Sequence, residues 1–380
     1  MNRHIAYAKG LEELGHEIIF ILLKKQEWKG QEVVKNNIRF ILAKEPGAKD
    51  NSKIKRIESF VKAIKNAKKK ISHENNKNKI SAIILLDTDA LELISFLGWA
   101  KKLGLKVFHE RTEYPFVVAG NSLYSKISLS IYLRFILKKL DGIYVINKAL
   151  KKYFFEKTNG RVPITIINMI VDHTRFSCGP KPKGDERIIS YCGTFEGDKD
   201  GVPILIESFA LIANEFPDVK LQLIGSLKNT VTSQKIQSLI KSFNLETRVI
   251  LTGSVKRDKI PELLCNSHIL ALSRPKNKQA EGGFPTKLGE YLATGNLVVV
   301  TNVGEITEFL TDKQNAFIAE PNSAFKFSKK LREALLSLER EKIGLEGKKL
   351  VFNQFNYKVQ ARLLEKMFLD SLTCTAKNLN

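Results

Sequence analysis

The feature that most restricts what this chain can fold into is an alternation, sustained over its whole length, of short β-branched runs with stretches of helical periodicity. Parallel strands cannot be joined by tight turns, so each needs a crossover helix, and this alternation is the signature of parallel sheets covered by helices. In the first half the runs predict strands at Glu17 to Leu22, Ile38 to Leu42, Ala82 to Leu86, Lys106 to His109, Gly142 to Ile146 and Ile164 to Ile167. In the second half they predict strands at Ile188 to Cys192, Lys220 to Ile224, Val249 to Thr252, Ile269 to Leu272, Leu297 to Thr301 and Ala316 to Ala319. A single core rarely grows beyond about 250 to 300 residues, so 380 residues imply two α/β domains. The prolines and glycines of Cys178-Gly179-Pro180-Lys181-Pro182-Lys183-Gly184-Asp185 suit a connection, which places a first domain at 1–176, a linker at 177–186 and a second domain at 187–351. A closing helix at 352–372 carries Phe352, Phe355, Val359, Leu363, Met367 and Leu372 as an apolar stripe.

The start is unusual. Ile5, Ala8, Leu11 and Leu14 form a helical stripe ended by Gly15, ahead of the first strand. A helix in that place normally crosses over from an earlier strand, so the first domain is expected to lack its opening strand. No run of 18 apolar residues and no signal-peptide core occur, so the expected location is the cytoplasm, at most peripheral at the inner membrane face. The four cysteines have no C-x-x-C spacing and read as small buried hydrophobes rather than zinc ligands, a redox pair or a disulfide framework.

Charge narrows the partners. The 62 Lys and Arg residues against 40 Asp and Glu give +22, and the excess is concentrated in residues 1–180, with 33 basic and 17 acidic side chains. Many of these cations lie between Lys53 and Lys79 with almost no interleaved aromatics, which fits an anionic membrane face better than nucleic acid. A lysine-rich solvated helix gives the same pattern. The Tyr124 to Leu140 stretch, with Ile127, Ile131, Phe135 and Leu140 beside Lys126, Arg134, Lys138 and Lys139, reads either as a membrane-surface helix or as ordinary core packing.

In open α/β sheets ligands lie beyond the carboxyl ends of the strands. There the second half offers Gly193-Thr194, Gly225-Ser226, Gly253-Ser254, Ser273-Arg274 and Thr301-Asn302, small residues and one guanidinium. The richest stretch is Glu281-Gly282-Gly283-Phe284-Pro285-Thr286-Lys287-Leu288-Gly289-Glu290. Pro285 presets a helical turn, and the amides of Thr286, Lys287 and Leu288 are left to face a diphosphate, with Lys287 adding charge. Glu290, one turn deeper, suits ribose hydroxyls. Asp87-Thr88-Asp89 has D-x-D spacing, but aspartates after a strand are routine cap formers, and no metal site is expected there.

The run Gly283 to Ala293, followed by Gly295 and Val298-Val299-Val300, resembles the group 1 family of glycosyltransferases. The likeness extends to Tyr191-Cys192-Gly193-Thr194-Phe195 with Lys199-Asp200-Gly201-Val202, to Asn168 with Val171-Asp172 and Arg175-Phe176, and to Asn2-Arg3 with Ala6 to Leu11 and Gly15-His16. It implies a GT-B fold, two Rossmann-like domains facing a cleft. The first would take a saccharide or lipid-linked acceptor and the second a nucleoside diphosphate sugar. Gly193, Thr194, Lys199, Arg274, Thr286, Lys287, Leu288 and Glu290 would bind the donor. His109 and Glu281 would be the catalytic residues, with no cofactor and no metal. The resemblance also implies a hexosyltransferase that retains configuration.

Three positions depart from the family pattern. Thr194 stands where an arginine is frequent, so Arg274 is expected to supply that charge. Glu281 and Glu290 are separated by eight residues where many relatives have seven. The opening strand and its glycine-rich loop are missing, which would impair catalysis. Two other readings compete with transfer: a nucleotide-sugar epimerase of the same fold, and a non-catalytic basic protein that binds polyanions.

Overall fold

A computed structural model of the protein describes residues 2–23, 32–35, 37–44, 52–86, 89–180, 186–195, 199–227 and 231–376. The chain divides into two units, Met1–Asn168 with Tyr357–Asn380, and Met169–Asn356.

In the first unit, β1 (Ile19–Leu22), β2 (Glu32–Lys35) and β3 (Ile38–Leu42) form one sheet in the order β1-β3-β2. β1 runs parallel to β3, with Ile19 opposite Arg39, and β2 runs antiparallel to it. A second sheet holds β4 (Ala82–Leu85), β5 (Lys106–Arg111), β6 (Gly142–Val145) and β7 (Ile164–Ile166), all parallel and in chain order. The helices α1 (Asn2–Glu13), α2 (Lys53–Lys77) and α3 (Ala90–Lys102) connect and cover these strands. Their starts follow from local chemistry: Ser52 caps α2 by accepting the Lys55 amide at 3.2 Å, and Asp89 caps α3 by accepting those of Leu91 and Glu92.

The closing helix runs Tyr357–Ala376 and packs on α1. The contact is close because residue 10 is glycine; a Cβ there would run into the Tyr357 carbonyl and the Ala361 methyl. Tyr357 donates to Glu13 at 2.6 Å, Lys358 pairs with Glu13 at 3.0 Å, and Lys9 lies 4.5 Å from the Tyr357 ring centre.

The second unit has one parallel sheet of six strands: β8 (Arg187–Cys192), β9 (Val219–Ile224), β10 (Val249–Leu251), β11 (Ile269–Leu272), β12 (Leu297–Thr301) and β13 (Phe317–Ala319). Their order is β10-β9-β8-β11-β12-β13, the doubly wound arrangement in which the winding reverses between β8 and β11. β11 and β12 are buried at every residue, as their unbroken apolar runs require of strands covered on both faces.

All twelve predicted strands occur. β2 was not expected: Glu-Val-Val-Lys has only two apolar residues and pairs as an antiparallel edge, where Glu32 accepts from Arg39 at 2.7 Å. Other expectations need correction. The units change at 168/169 and 356/357 rather than 176/177 and 351/352. Met169, Val171 and Arg175 are already held within the second unit, Val171 by a hydrogen bond to the Phe355 carbonyl at 2.8 Å. The expected linker belongs to that unit, and its residues 181–185 lie outside the described ones. The 352–372 stripe is not one helix face. Val351–Phe355 forms a π-helical turn, the chain is extended at Asn356, and Phe352 and Leu363 are exposed while Gln360, Ala361, Leu364 and Met367 face inward. Cys178 and Cys265 are joined in a disulfide with Cα atoms 5.2 Å apart, which an 87-residue separation concealed in the sequence.

Among the described residues no helix is long and apolar enough to cross a membrane. Tyr124 to Leu140 splits between the two roles foreseen for it. Tyr132, Ile136, Leu137 and Leu140 are buried, whereas Leu123, Tyr124, Ile127 and Phe135 are exposed.

Candidate functional site

The reversal between β8 and β11 separates the helices that follow these two strands, and it is at their carboxyl ends that the donor-site residues collect. β8 ends in Cys192 and passes into Gly193; the helix Val202–Ala210 follows, with Gly201 at its N-cap in the left-handed conformation, φ +67°. β11 ends in Leu272 and passes through Ser273 and Arg274 to the helix Thr286–Thr294. Gly201 is required twice over, since a Cβ there would also meet the Ser273 carbonyl; Ser273 in turn donates to the Gly201 carbonyl at 2.7 Å. The two strand ends are thereby tied together.

At the centre stands Lys287 in the first turn of its helix. Its ammonium pairs with the Asp200 carboxylate and donates to the Tyr191 hydroxyl at 3.2 Å, and Tyr191 donates to Asp200 at 2.8 Å. Burial favours the neutral acid at Asp200, but Lys287, Tyr191 and Arg274 outweigh it and hold the carboxyl below its ordinary range. Gly193 lies against this group: a Cβ there would run into both the Lys287 ammonium and the Tyr191 hydroxyl. Glycine therefore leaves the ammonium and the backbone open to each other at the mouth of the sheet.

Pro285 is the N-cap of the Thr286 helix. The Leu288 amide donates to the Pro285 carbonyl at 2.9 Å, and the Leu288 side chain is buried. This revises the reading of three open amides; helix geometry leaves those of Thr286 and Lys287. Gly289 permits close packing, its amide 3.1 Å from the Met169 sulfur, and a Cβ there would meet Val171. Glu290 accepts from Arg175 at 3.1 Å, and Arg175 also donates to the Arg257 carbonyl. Burial raises the Glu290 carboxyl above its usual range, with Arg175 the main opposing influence. Tyr291 accepts the Cys192 amide at 2.7 Å and so fixes the last residue of β8. Burial and the nearby Glu290 push the Cys192 thiol up to about 12, which makes it an unreactive packing group.

Arg274 is buried to 2% exposure, donates to the Gln279 carbonyl at 3.2 Å and acts electrostatically on Asp200. Lys199 and Thr194 are exposed beside this group, on the two segments that lead out of β8 and into the Val202 helix. Glu281 is drawn elsewhere: it sits on the exposed side of the short helix Lys278–Gly282 and accepts from Lys278 at 2.8 Å. Residue typing missed Asp200, Tyr191, Arg175 and Tyr291 as site builders. Asp200 and Arg175 were adjacent to residues singled out in the sequence, yet nothing in the spacing showed that they meet Lys287 and Glu290.

His109 belongs to the first unit. It is fully buried in β5, its Nδ1 donates to the Leu85 carbonyl at 2.9 Å, and its Nε2 has no partner among the described residues. Burial, then the Arg111 charge, push its pKa down to about 3, so the ring is neutral and Nε2 keeps its lone pair. Next to it Glu110 is held by Arg3 at 2.6 Å and His4 at 2.7 Å from α1; burial alone would raise its pKa, but these partners bring it to about 2. Asp87 and Thr88 lie outside the described residues, and Asp89 is occupied by its cap and by the Tyr124 hydroxyl at 2.6 Å. No cluster of His, Cys, Asp and Glu able to hold a metal ion occurs among the described residues.

The sequence of residues 175–350 matches the family model of glycosyl transferases group 1. The likeness to this family lies in the second unit. It is 25% identical over 328 residues to an uncharacterized glycosyltransferase of Methanocaldococcus jannaschii, covering 77% of this chain and 87% of that protein. It is 30% identical over 186 residues to the capsular polysaccharide biosynthesis glycosyltransferase CapM of Staphylococcus aureus, covering 48% and 46% of the two chains. Among solved structures, Anabaena HepE in complex with UDP and glucose superposes with a TM-score of 0.70 at 13% identity, over 96% of this chain and 94% of that one. The fold is therefore GT-B, with a Rossmann-like parallel sheet in each unit.

Proposed function

We propose that the protein transfers a hexose from a uridine diphosphate sugar to a hydroxyl of a saccharide or lipid-linked acceptor, with retention of configuration. The observation that carries this reading is the meeting of Gly193 with Lys287 at the strand reversal, a cation and helix amides facing a backbone stripped of side chain. Departure of a nucleoside diphosphate builds negative charge on the leaving oxygens, and donors already oriented toward that charge lower the barrier without reorganising. Lys287, the Thr286 and Lys287 amides, Lys199 and the field of Arg274 supply them. Asp200 holds Lys287 in place until phosphate competes for it. Glu290, oriented by Arg175, accepts from the ribose hydroxyls. The uridine assignment is supported by the likeness to a protein solved with UDP and glucose, and the saccharide acceptor by the partial likeness to a capsular polysaccharide enzyme.

His109 is assigned a hydrogen bond from a substrate hydroxyl to Nε2, an acceptor that is fully buried in this structure and would have to be uncovered for the contact to form. The exposed Leu123, Tyr124, Ile127 and Phe135 beside Lys126 and Arg134 fit contact with an anionic bilayer, where a lipid-linked acceptor would reside. The test is UDP release from UDP-glucose and related donors, with and without saccharide or polyprenyl acceptors and with EDTA throughout. Acceptor-dependent release that persists in EDTA is expected. Release restored only by manganese would overturn the reliance on protein cations, and an altered sugar without UDP release would favour an epimerase.

A further inference from the structure

Within the second unit, the stretch from Val171 to Cys178 is a short strap fastened at both ends. At its start the Val171 amide donates to the Phe355 carbonyl at 2.8 Å. At its end Cys178 is joined by the disulfide to Cys265, the last residue of the helix Ile260–Cys265. Between these points lie the helical turn His173–Arg175 and the buried Phe176. Arg175 reaches out of that turn twice: Nη1 donates to Glu290 at 3.1 Å and Nη2 to the Arg257 carbonyl at 3.1 Å.

The same two segments therefore meet at two places, Arg175 on Arg257 and Cys178 on Cys265. The far side is firm. Leu264 is buried, and the Asn296 side-chain amide donates to the carbonyls of Leu264 at 2.8 Å and Cys265 at 3.0 Å. The near side has less to hold it: Ser177, Gly179 and Pro180 are exposed and make no hydrogen bond among the described residues. Past Phe176 the disulfide is what attaches the strap. A chain advances at most about 3.6 Å per residue, so the anchor at Cys178 keeps the backbone of Arg175 within roughly 11 Å of it. What Arg175 does there matters to the site, because burial drives the Glu290 carboxyl toward its neutral form and Arg175 is the chief influence opposing this.

The bond is also within reach of a reagent. Cys178 and Cys265 are each partly exposed, and Ser177, Gly179 and Asn266 beside them are exposed. Accessible disulfides are the ones that exchange with external thiols.

We infer that the Cys178–Cys265 bond is a redox-sensitive clamp on the donor site: closed, it positions Arg175 against Glu290, and opened by a dithiol it frees Arg175 and loosens the hold on the ribose. The inference rests on the reading of Glu290 as the ribose acceptor. In the opening step a thiolate of the dithiol attacks the Cys178 sulfur, the bond to Cys265 breaks, and Cys265 leaves as a thiolate that takes up a proton. The second thiol of the reductant then displaces Cys178 from the mixed disulfide. Two electrons and two protons pass to the protein, and the dithiol departs as its own disulfide. Cys178, Cys265 and Arg175 are positioning residues in this scheme, acting through Glu290.

The experiment uses the full chain, air-oxidised or reduced with dithiothreitol, as wild type and as Arg175→Ala. Alkylation and mass spectrometry establish the state of the Cys178–Cys265 pair, and calorimetry below the melting range gives the affinities for UDP and 2′-deoxy-UDP. Reduction is expected to weaken UDP about three- to tenfold in the wild type, the worth of one hydrogen bond, and to remove discrimination against the deoxy analogue. In Arg175→Ala, already weakened when oxidised, reduction should change neither quantity, since the clamp acts through that side chain. Unchanged UDP affinity on reduction of the wild type would overturn the inference, as would an equal loss in Arg175→Ala or failure of the two cysteines to pair on oxidation. Oxidised wild type that does not distinguish the two nucleotides would instead refute the role of Glu290, while the change in UDP affinity still decides the clamp. Should reduction unfold the chain, the pair Cys178→Ala and Cys265→Ala replaces the reduced form; UDP affinity equal to that of the oxidised wild type would overturn the inference.

Discussion

The two units of this protein are wound alike and finished differently. In the second unit β8 occupies the centre, and its carboxyl end delivers Gly193 against Lys287, Tyr191 and Asp200. In the first unit the corresponding place is a cavity, and the polar groups nearest to it on β5 are held from α1, by Arg3 and His4 on Glu110. A continuous central strand lets the second unit spend its charged groups on an open site. In the first unit α1 turns charged groups inward, and the buried cluster of Arg3, His4 and Glu110 ties this helix to β5.

The largest expected effect tests that contrast directly. Arg3→Ala leaves Glu110 buried without its main counter-charge and should cost the first unit about 3 to 5 kcal/mol. Thermal unfolding followed separately in the two units by exchange would show the loss confined to the first; a uniform loss would erase the distinction. Acid sensitivity sharpens it. The folded pKa of His109 lies near 3, below the ordinary 6.5, so its contribution is fully present above pH 6.5 and is lost as pH falls toward 3. The fall in melting temperature between pH 7.5 and 5 should be smaller in His109→Gln than in the wild type. The window avoids Glu110, whose depressed pKa near 2 moves its loss of stability to below about pH 4.5.

In the second unit the effects are on binding. Lys287→Ala should weaken UDP by roughly 10- to 150-fold and uridine hardly at all, since a charge-assisted hydrogen bond contributes about 1.5 to 3 kcal/mol. Equal losses for both ligands in calorimetry would remove Lys287 from the phosphate. Smaller still, Glu290→Gln should reduce UDP affinity a few-fold and abolish discrimination against 2′- and 3′-deoxy analogues. Discrimination unchanged in the variant would detach Glu290 from the ribose.

The strands and the donor motif were legible in the sequence because parallel strands buried on both faces must be nearly continuous apolar runs, and because a glycine and proline before a helix have few other uses. What was hidden depended on distance along the chain. The disulfide between Cys178 and Cys265, the pairing of Lys287 with Asp200 and that of Glu290 with Arg175 each join residues that only the winding order brings together. The closing helix misled for a local reason: the break at Asn356 resets its phase, so a stripe counted through Phe352 and Phe355 points the wrong way afterwards. The cavity was hidden for the same reason, because its walls β1 and β4 are edges of two different sheets.

The central claim, that the donor lies at the carboxyl ends of β8 and β11, is tested most directly by hydrogen exchange of the intact chain with and without saturating UDP. Slowed exchange is expected at residues 189–195 and 284–292, with no change along β1 and β4. Protection confined to the first unit, or none in the second at saturation, would contradict it.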